Sequence, residues 1–278
     1  MLVARRGAGA HVEVVDELDR RLALAGRLDG RGRLMPDAVD AVIEAITDFR
    51  AVAEGAGAGD VRVVGTAAVR EARNRPDLVS RVAEMGINLE VADASVEARY
   101  AFLGAVYGMP VSSGVLVDLG GGSLDLARFR DRTLVETATI PAGTLLARAR
   151  FLAGDPPTEA EAEALHEWTR KAVRAAGFRR LGRDEALVVT GGAARNLAKI
   201  DRARRPRYPV AALHGYELRR ARLRAITELL RSLGSGAGSV PGLNPKRVDT
   251  IAAGALVLGA AADAMRAKRL LVSGQGLR

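Results

Sequence analysis

The sequence predicts an α/β protein built as two similar lobes. Short apolar runs of strand length alternate with longer segments whose apolar residues return every three or four positions. This alternation occurs twice, and each half opens on hairpin-like strands before its helices, so two similar lobes are expected. Hydrophobic residues make up 48% of the 278 and charged residues 27%, enough apolar surface to build two cores.

The elements follow in order. HVEVV (11–15) and RLALAGRL (21–28) read as two strands of a hairpin. Pro36 then stands at a first helical position, and Val39, Val42, Ile43, Ile46, Phe49 and Val52 continue at helical spacing to near Gly55. VRVVGT (61–66) reads as a short buried strand, followed by a helix from about Asp77 to Met85, a strand INLEVA (87–92) and a helix over 95–108. The pattern restarts with strands VLVDL, LDLARF and LVETATI, so the lobe boundary is expected near Met109 to Gly114. Helices are expected at 144–153 and 159–176, where Asp155 and Thr158 offer caps. A strand ALVVTGG (186–192), helices at 193–200, 216–232 and 246–266, and a strand RLLVSG (269–274) complete the series.

The composition excludes several chemistries. With no cysteine there is no disulfide, thiolate nucleophile or cysteine zinc site, and His11, His166 and His214 share no metal-ligand spacing. Charges interrupt every apolar run short of a membrane span and no signal peptide opens the chain, so a cytoplasmic protein without membrane partners is expected. The net charge of +9 comes largely from KIDRARRPRYP (199–209) and ELRRARLRAI (217–226). Such runs attract polyanions or form solvated faces; without interleaved aromatics they lack a stacking platform, which argues against nucleic acid.

The most informative stretch is VLVDLGGGSLDLARF (115–129). Gly120, Gly121 and Gly122 allow positive φ and let a bound group approach the backbone, so successive amides can converge on one anion. The plainer reading is a tight hairpin turn. Asp118 ends a buried strand and Asp125 lies on the opposite arm; two carboxylates beside an anion cradle suggest a divalent cation bridging them to phosphate oxygens.

VDLGGGSLDL resembles the second phosphate-binding motif of the exopolyphosphatase and guanosine pentaphosphate phosphatase (Ppx/GppA) family, usually Asp-Ile-Gly-Gly-Gly-Ser-Thr-Glu. VVGTAAVREARN, DASVEARYAFLGAVYG, VTGGAARNLAKI and RVDTIAAGALVLGA with LVSGQGLR agree in the family's order. The resemblance implies a two-lobed actin-like ATPase domain fold of the ribonuclease H-like class. It also implies a hydrolase that releases terminal orthophosphate from inorganic polyphosphate or guanosine pentaphosphate with Mg2+ or Mn2+. By residue matching, Glu97 would be the general base and Arg70 would contact phosphate. Gly120, Gly121, Gly122 and Ser123 would bind phosphate with Gly191 and Gly192, and Asp118 and Asp125 would organise the metal. Family members are commonly homodimers.

Two departures stand out. The family's first loop, Asp-Ile-Gly-Ser-Asn-Ser, has no counterpart in MLVARRGAGAHVEVV, and the last residues are Gly276, Leu277 and Arg278 where the family continues. A misplaced start or shortened gene product is therefore the expectation, and a binder of polyphosphate or alarmone without turnover is the alternative function. A small-molecule kinase of the same superfamily is a third reading, opposed by the Glu-Ala-Arg segment at 97–99.

Overall fold

The computed structural model describes all residues except 8–11, 21, 107, 205–212 and 276–278. His11 and the last five residues of the 199–209 basic run, 205–209, lie outside the described residues. The chain divides into two compact units, one ending at Ala94 and one beginning at Ser95.

In the first unit, β1 (Leu2–Arg6) pairs antiparallel with β2 (Val12–Glu17). This corrects the expected hairpin, because residues 22–28 form no strand. Leu24–Gly26 is a single 3-10 turn entered through a left-handed Ala23 (φ 51). Its Leu22, Leu24 and Leu28 pack on a small core with Leu34, Val39, Val42, Leu78 and Val82, so burial rather than alternation decides their conformation. Helix α1 (Pro36–Gly55) starts at the proline as expected. Then come β3 (Val63–Gly65), the short α2 (Ala67–Glu71), α3 (Arg75–Glu84) and β4 (Leu89–Val91), with β3 and β4 parallel.

The second unit contains α4 (Ala94–Val106, its first residue at the division), β5 (Gly114–Leu119), β6 (Leu124–Arg130), β7 (Thr133–Ile140), α5 (Thr144–Phe151) and α6 (Glu159–Ala175). It continues with β8 (Ala186–Thr190), α7 (Gly192–Ala203), β9 (Tyr216–Arg219), α8 (Arg220–Leu233), α9 (Val248–Ala264) and β10 (Arg269–Val272). Residues 216–219 are an edge strand rather than the start of a helix, because Tyr216 and Leu218 bury themselves opposite Val272 and Leu270. The six strands run in the order β7-β6-β5-β8-β10-β9, with β5, β8 and β10 parallel. The sequence-predicted class is therefore the observed one, α/β with a mixed sheet.

Alternation along the strands sends side chains to two faces. Val115, Val117, Leu119, Leu187 and Val189 join a core with α5 to α9. Leu116, Ala127, Phe129 and Val188 face the other way and pack with Ala101, Phe102, Ala105 and Val106 of α4. The second compact unit therefore takes in α4 together with the six-stranded sheet. Periodicity marks where strands restart; which sheet a helix covers is a tertiary contact.

Candidate active site

Gly120 to Ser123 connect β5 to β6. None of the three glycines has a positive φ, so left-handed backbone is not why they are there. The requirement is close approach. Gly120, Gly121 and Gly122 carbonyls accept from the amides of Thr144 (3.0 Å), Leu145 (2.9 Å) and Gly143 (3.1 Å), which satisfies the N-terminal donors of α5. A Cβ on Gly143, the N-cap, would run into the backbone of Gly121 and Gly122.

A trans peptide directs its N–H opposite to its C=O. Three carbonyls turned onto α5 therefore turn the amides of Gly121, Gly122 and Ser123 away from it, and these make no hydrogen bond to another part of the protein among the described residues. Three neighbouring donors facing away from the protein's own acceptors make the loop a candidate anion cradle.

Beside the cradle, one polar row crosses four strands. Thr190 of β8 stands level with Asp118 of β5, Asp118 with Asp125 of β6, and Asp125 with Thr139 of β7. Asp125 is buried and takes two hydroxyls, Ser123 Oγ on Oδ2 (2.6 Å) and Thr139 Oγ1 on Oδ1 (2.7 Å). The Ser123 hydroxyl proton is thus committed to Asp125 and not to a ligand. Asp118 is less buried and its Oδ1 lies against Gly191. Opposed carboxylates repel unless something positive or donating sits between them. Two such groups offer hard oxygens suited to a divalent ion that retains water, although no cluster of three or more ligating side chains occurs among the described residues.

Glu97 lies in the first turn of α4, partly buried. It occupies the same helical stripe as Ala101 and Ala105, both buried against the sheet. Phe102 stacks on Phe129 with ring centroids 5.2 Å apart, near the start of β5. The helix that carries Glu97 covers the face of the sheet to which the carboxylate row belongs.

Gly191 caps α7 with φ 98, and a Cβ there would strike the Leu119 carbonyl, which explains why glycine is required. The turn brings the α7 N-terminus beside Asp118. On Gly192 a Cβ would collide with the guanidinium of Arg247, the residue before α9. Arg247 and Thr139 escaped sequence reasoning as site residues. Arg247 opens the matched RVDTIAAGA stretch, which could have drawn attention to it, while no local signal marks Thr139. Arg70 belongs to the first unit, where its Nη1 donates to the Ala92 carbonyl (2.9 Å).

Comparison with known proteins gives the family and the fold. The model of the Ppx/GppA phosphatase family matches residues 2–278. Exopolyphosphatase 1 of Mycobacterium leprae is 28% identical over 275 residues, covering 95% of this chain and 79% of the relative. Exopolyphosphatase 2 of Mycobacterium tuberculosis is 27% identical over 280 residues, covering 96% and 87%. The crystal structure of the Aquifex aeolicus Ppx/GppA family member superposes with a TM-score of 0.84 at 25% identity, over 100% of this chain and 90% of that one. An exopolyphosphatase from Cytophaga hutchinsonii has the same fold, with a TM-score of 0.84 at 20% identity over 99% and 90%. The fold is therefore the expected actin-like ATPase domain class, and the chain belongs to the Ppx/GppA phosphatase family.

Proposed function

We propose that the protein hydrolyses the terminal phosphoanhydride of inorganic polyphosphate and releases orthophosphate. The observation that carries this reading is the set of three outward amides at Gly121, Gly122 and Ser123 beside the Asp118–Asp125 pair. Those amides would hold oxygens of the terminal phosphoryl group, with the N-terminal amides of α7 and the cationic Arg247 supporting a neighbouring phosphate. Glu97 would accept a proton from water as the water oxygen bonds to the terminal phosphorus. The bridging P–O bond then breaks, and its electron pair leaves on the shortened chain. A divalent cation at Asp118 and Asp125, Mg2+ or Mn2+, would supply charge neutralisation of the phosphate oxygens. In this role Asp118 would be the direct carboxylate, while Asp125 accepts the hydroxyls of Ser123 and Thr139.

Guanosine pentaphosphate is the competing substrate of this reading, and a homodimer in the cytoplasm is its setting. Glu97→Gln tests it: orthophosphate release from long-chain polyphosphate should fall roughly 10²–10⁴-fold with unchanged unfolding. Unchanged release would remove Glu97 from the chemistry. Binding of polyphosphate by the unaltered protein with no release, under either cation, would favour the binder without turnover.

A further inference from the structure

One buried side chain joins the first turn of α7 to the segment that leads into Arg247. Asn196 of α7 is 5% exposed, and both ends of its amide are used. Its Nδ2 donates to the Gly192 carbonyl one turn back (2.8 Å), while its Oδ1 accepts the backbone N–H of Asn244 (2.8 Å). These partners fix which way the amide points, because a carbonyl can only accept and a backbone N–H can only donate.

The bond to Gly192 acts on the helix end. In a trans peptide the Ala193 N–H points opposite to the Gly192 carbonyl, so holding that carbonyl aims the N–H out of the α7 N-terminus. The bond to Asn244 acts on the arginine. Asn244 caps the 3-10 turn Pro245–Arg247, its side chain accepting from the Lys246 amide at 2.9 Å and its carbonyl from the Arg247 amide at 2.9 Å. Three residues beyond the docking point, the Arg247 guanidinium lies against Gly192, where a Cβ would collide with it.

The surrounding packing brings the two pieces together. Gly242 has a left-handed φ of 87 and a Cβ on it would overlap the Lys199 carbonyl, so the backbone approaching Asn244 lies directly on α7. Leu243 is buried in the core that also holds Leu197 and Ile200. Apolar contacts of this kind are not directional, whereas a hydrogen bond with both partners on the backbone path sets the register. The positive end of the helix dipole offers a guanidinium no attraction, so the backbone that carries Arg247 has to be placed by other contacts.

Resting on the proposed polyphosphate hydrolysis, in which Arg247 and the α7 amides support a phosphate next to the terminal one, we propose that Asn196 is the positioning residue of that subsite. It orients the α7 amides through Gly192 and places Arg247 over them through Asn244. Asn196 touches no phosphate; its effect on the substrate passes through Arg247.

The test is a double-mutant cycle of Asn196→Ala and Arg247→Gln. It is read twice, as the Kd of tripolyphosphate with Mg2+ by calorimetry and as the urea midpoint. With Arg247 present, Asn196→Ala should weaken tripolyphosphate about tenfold, and in the Arg247→Gln background the same change should cost less than about twofold. The midpoint shift from Asn196→Ala should be alike in both backgrounds, which separates placement from folding, and KM for orthophosphate release should rise with Kd. An equal loss of affinity in both backgrounds, or a shifted midpoint with unchanged affinity, would overturn the positioning role. Should Asn196→Ala fail to fold, Asn196→Asp, which keeps the acceptor for Asn244 and removes the donor to Gly192, is carried through the same cycle and judged by the same outcomes. Tripolyphosphate binding that follows the cycle, with no orthophosphate released by the unaltered protein, would instead overturn the proposed hydrolysis and leave the role of Asn196 standing.

Discussion

Removing the Ser123 hydroxyl tests the arrangement at the loop. Ser123 and Asp125 are both buried, at 6% and 9% exposure, and their hydrogen bond is 2.6 Å long. Ser123→Ala leaves Oδ2 of a charged carboxylate without its donor in a place water enters poorly, which should cost about 2–3 kcal/mol. Thr139→Val removes the partner hydroxyl on Oδ1, but Thr139 is exposed on β7, so water can replace it. Valine also suits a strand slightly better, and the net loss there should be roughly 1 kcal/mol. Urea unfolding followed by fluorescence of Trp168, which stacks on Phe151 in the second unit, reads both values. Two equal losses, or a larger loss for Thr139→Val, would refute the view that the buried arm of the pair anchors the loop.

Three further outcomes are expected. Gly191→Ala places a Cβ on the Leu119 carbonyl in a left-handed backbone, so it should destabilise by about 2 kcal/mol or more and weaken binding of inorganic phosphate; calorimetry reads both effects. Thr158 and Glu161 form a reciprocal capping box at α6, and Thr158→Ala should lower stability by about 1 kcal/mol without changing phosphate release. His166 has a folded pKa held below its ordinary value by burial and by Arg220 and Arg170, against a smaller opposing pull from Glu167. The unfolded chain therefore binds the proton first, so stability declines as pH falls from about 6.5 toward the lowered value and is unaffected above it. In His166→Gln that part of the acid-side slope should vanish from pH-dependent urea midpoints, and an identical slope would show that His166 does not carry it.

The loop also accounts for how one short segment serves two partners. Each peptide plane of Gly120–Ser123 gives its carbonyl to α5 and its amide to the opposite side. Any side chain that tilts one plane would disturb the helix cap and the cradle together, so changes at Gly121 should couple α5 stability to phosphate binding.

Much was decided locally, and local physics explains it. Strands 114–119 and 124–130, helix α1 from its proline, and the α6 cap at Thr158 each depend on neighbours within a few residues. The glycine loop and its carboxylates were also visible, as residue types whose chemistry suits phosphate, whereas Glu97 was marked only by the family resemblance. Other features needed partners far along the chain. Leu22, Leu24 and Leu28 left their expected strand because a core formed around Leu34 and Leu78 offered deeper burial. Residues 216–219 became a strand because β10 presented an open edge. The glycines were legible, but their reason was not: positive φ was expected, whereas the close approach of Gly143 and the amides of α5 requires them. Arg247 against Gly192, and Thr139 on Asp125, arise from contacts between separate strands and helices. Sequence alone determined which side chains were available for the chemistry. Only tertiary structure decided which of them meet, because burial and hydrogen bonding are satisfied between elements whose separation along the chain carries no local signal.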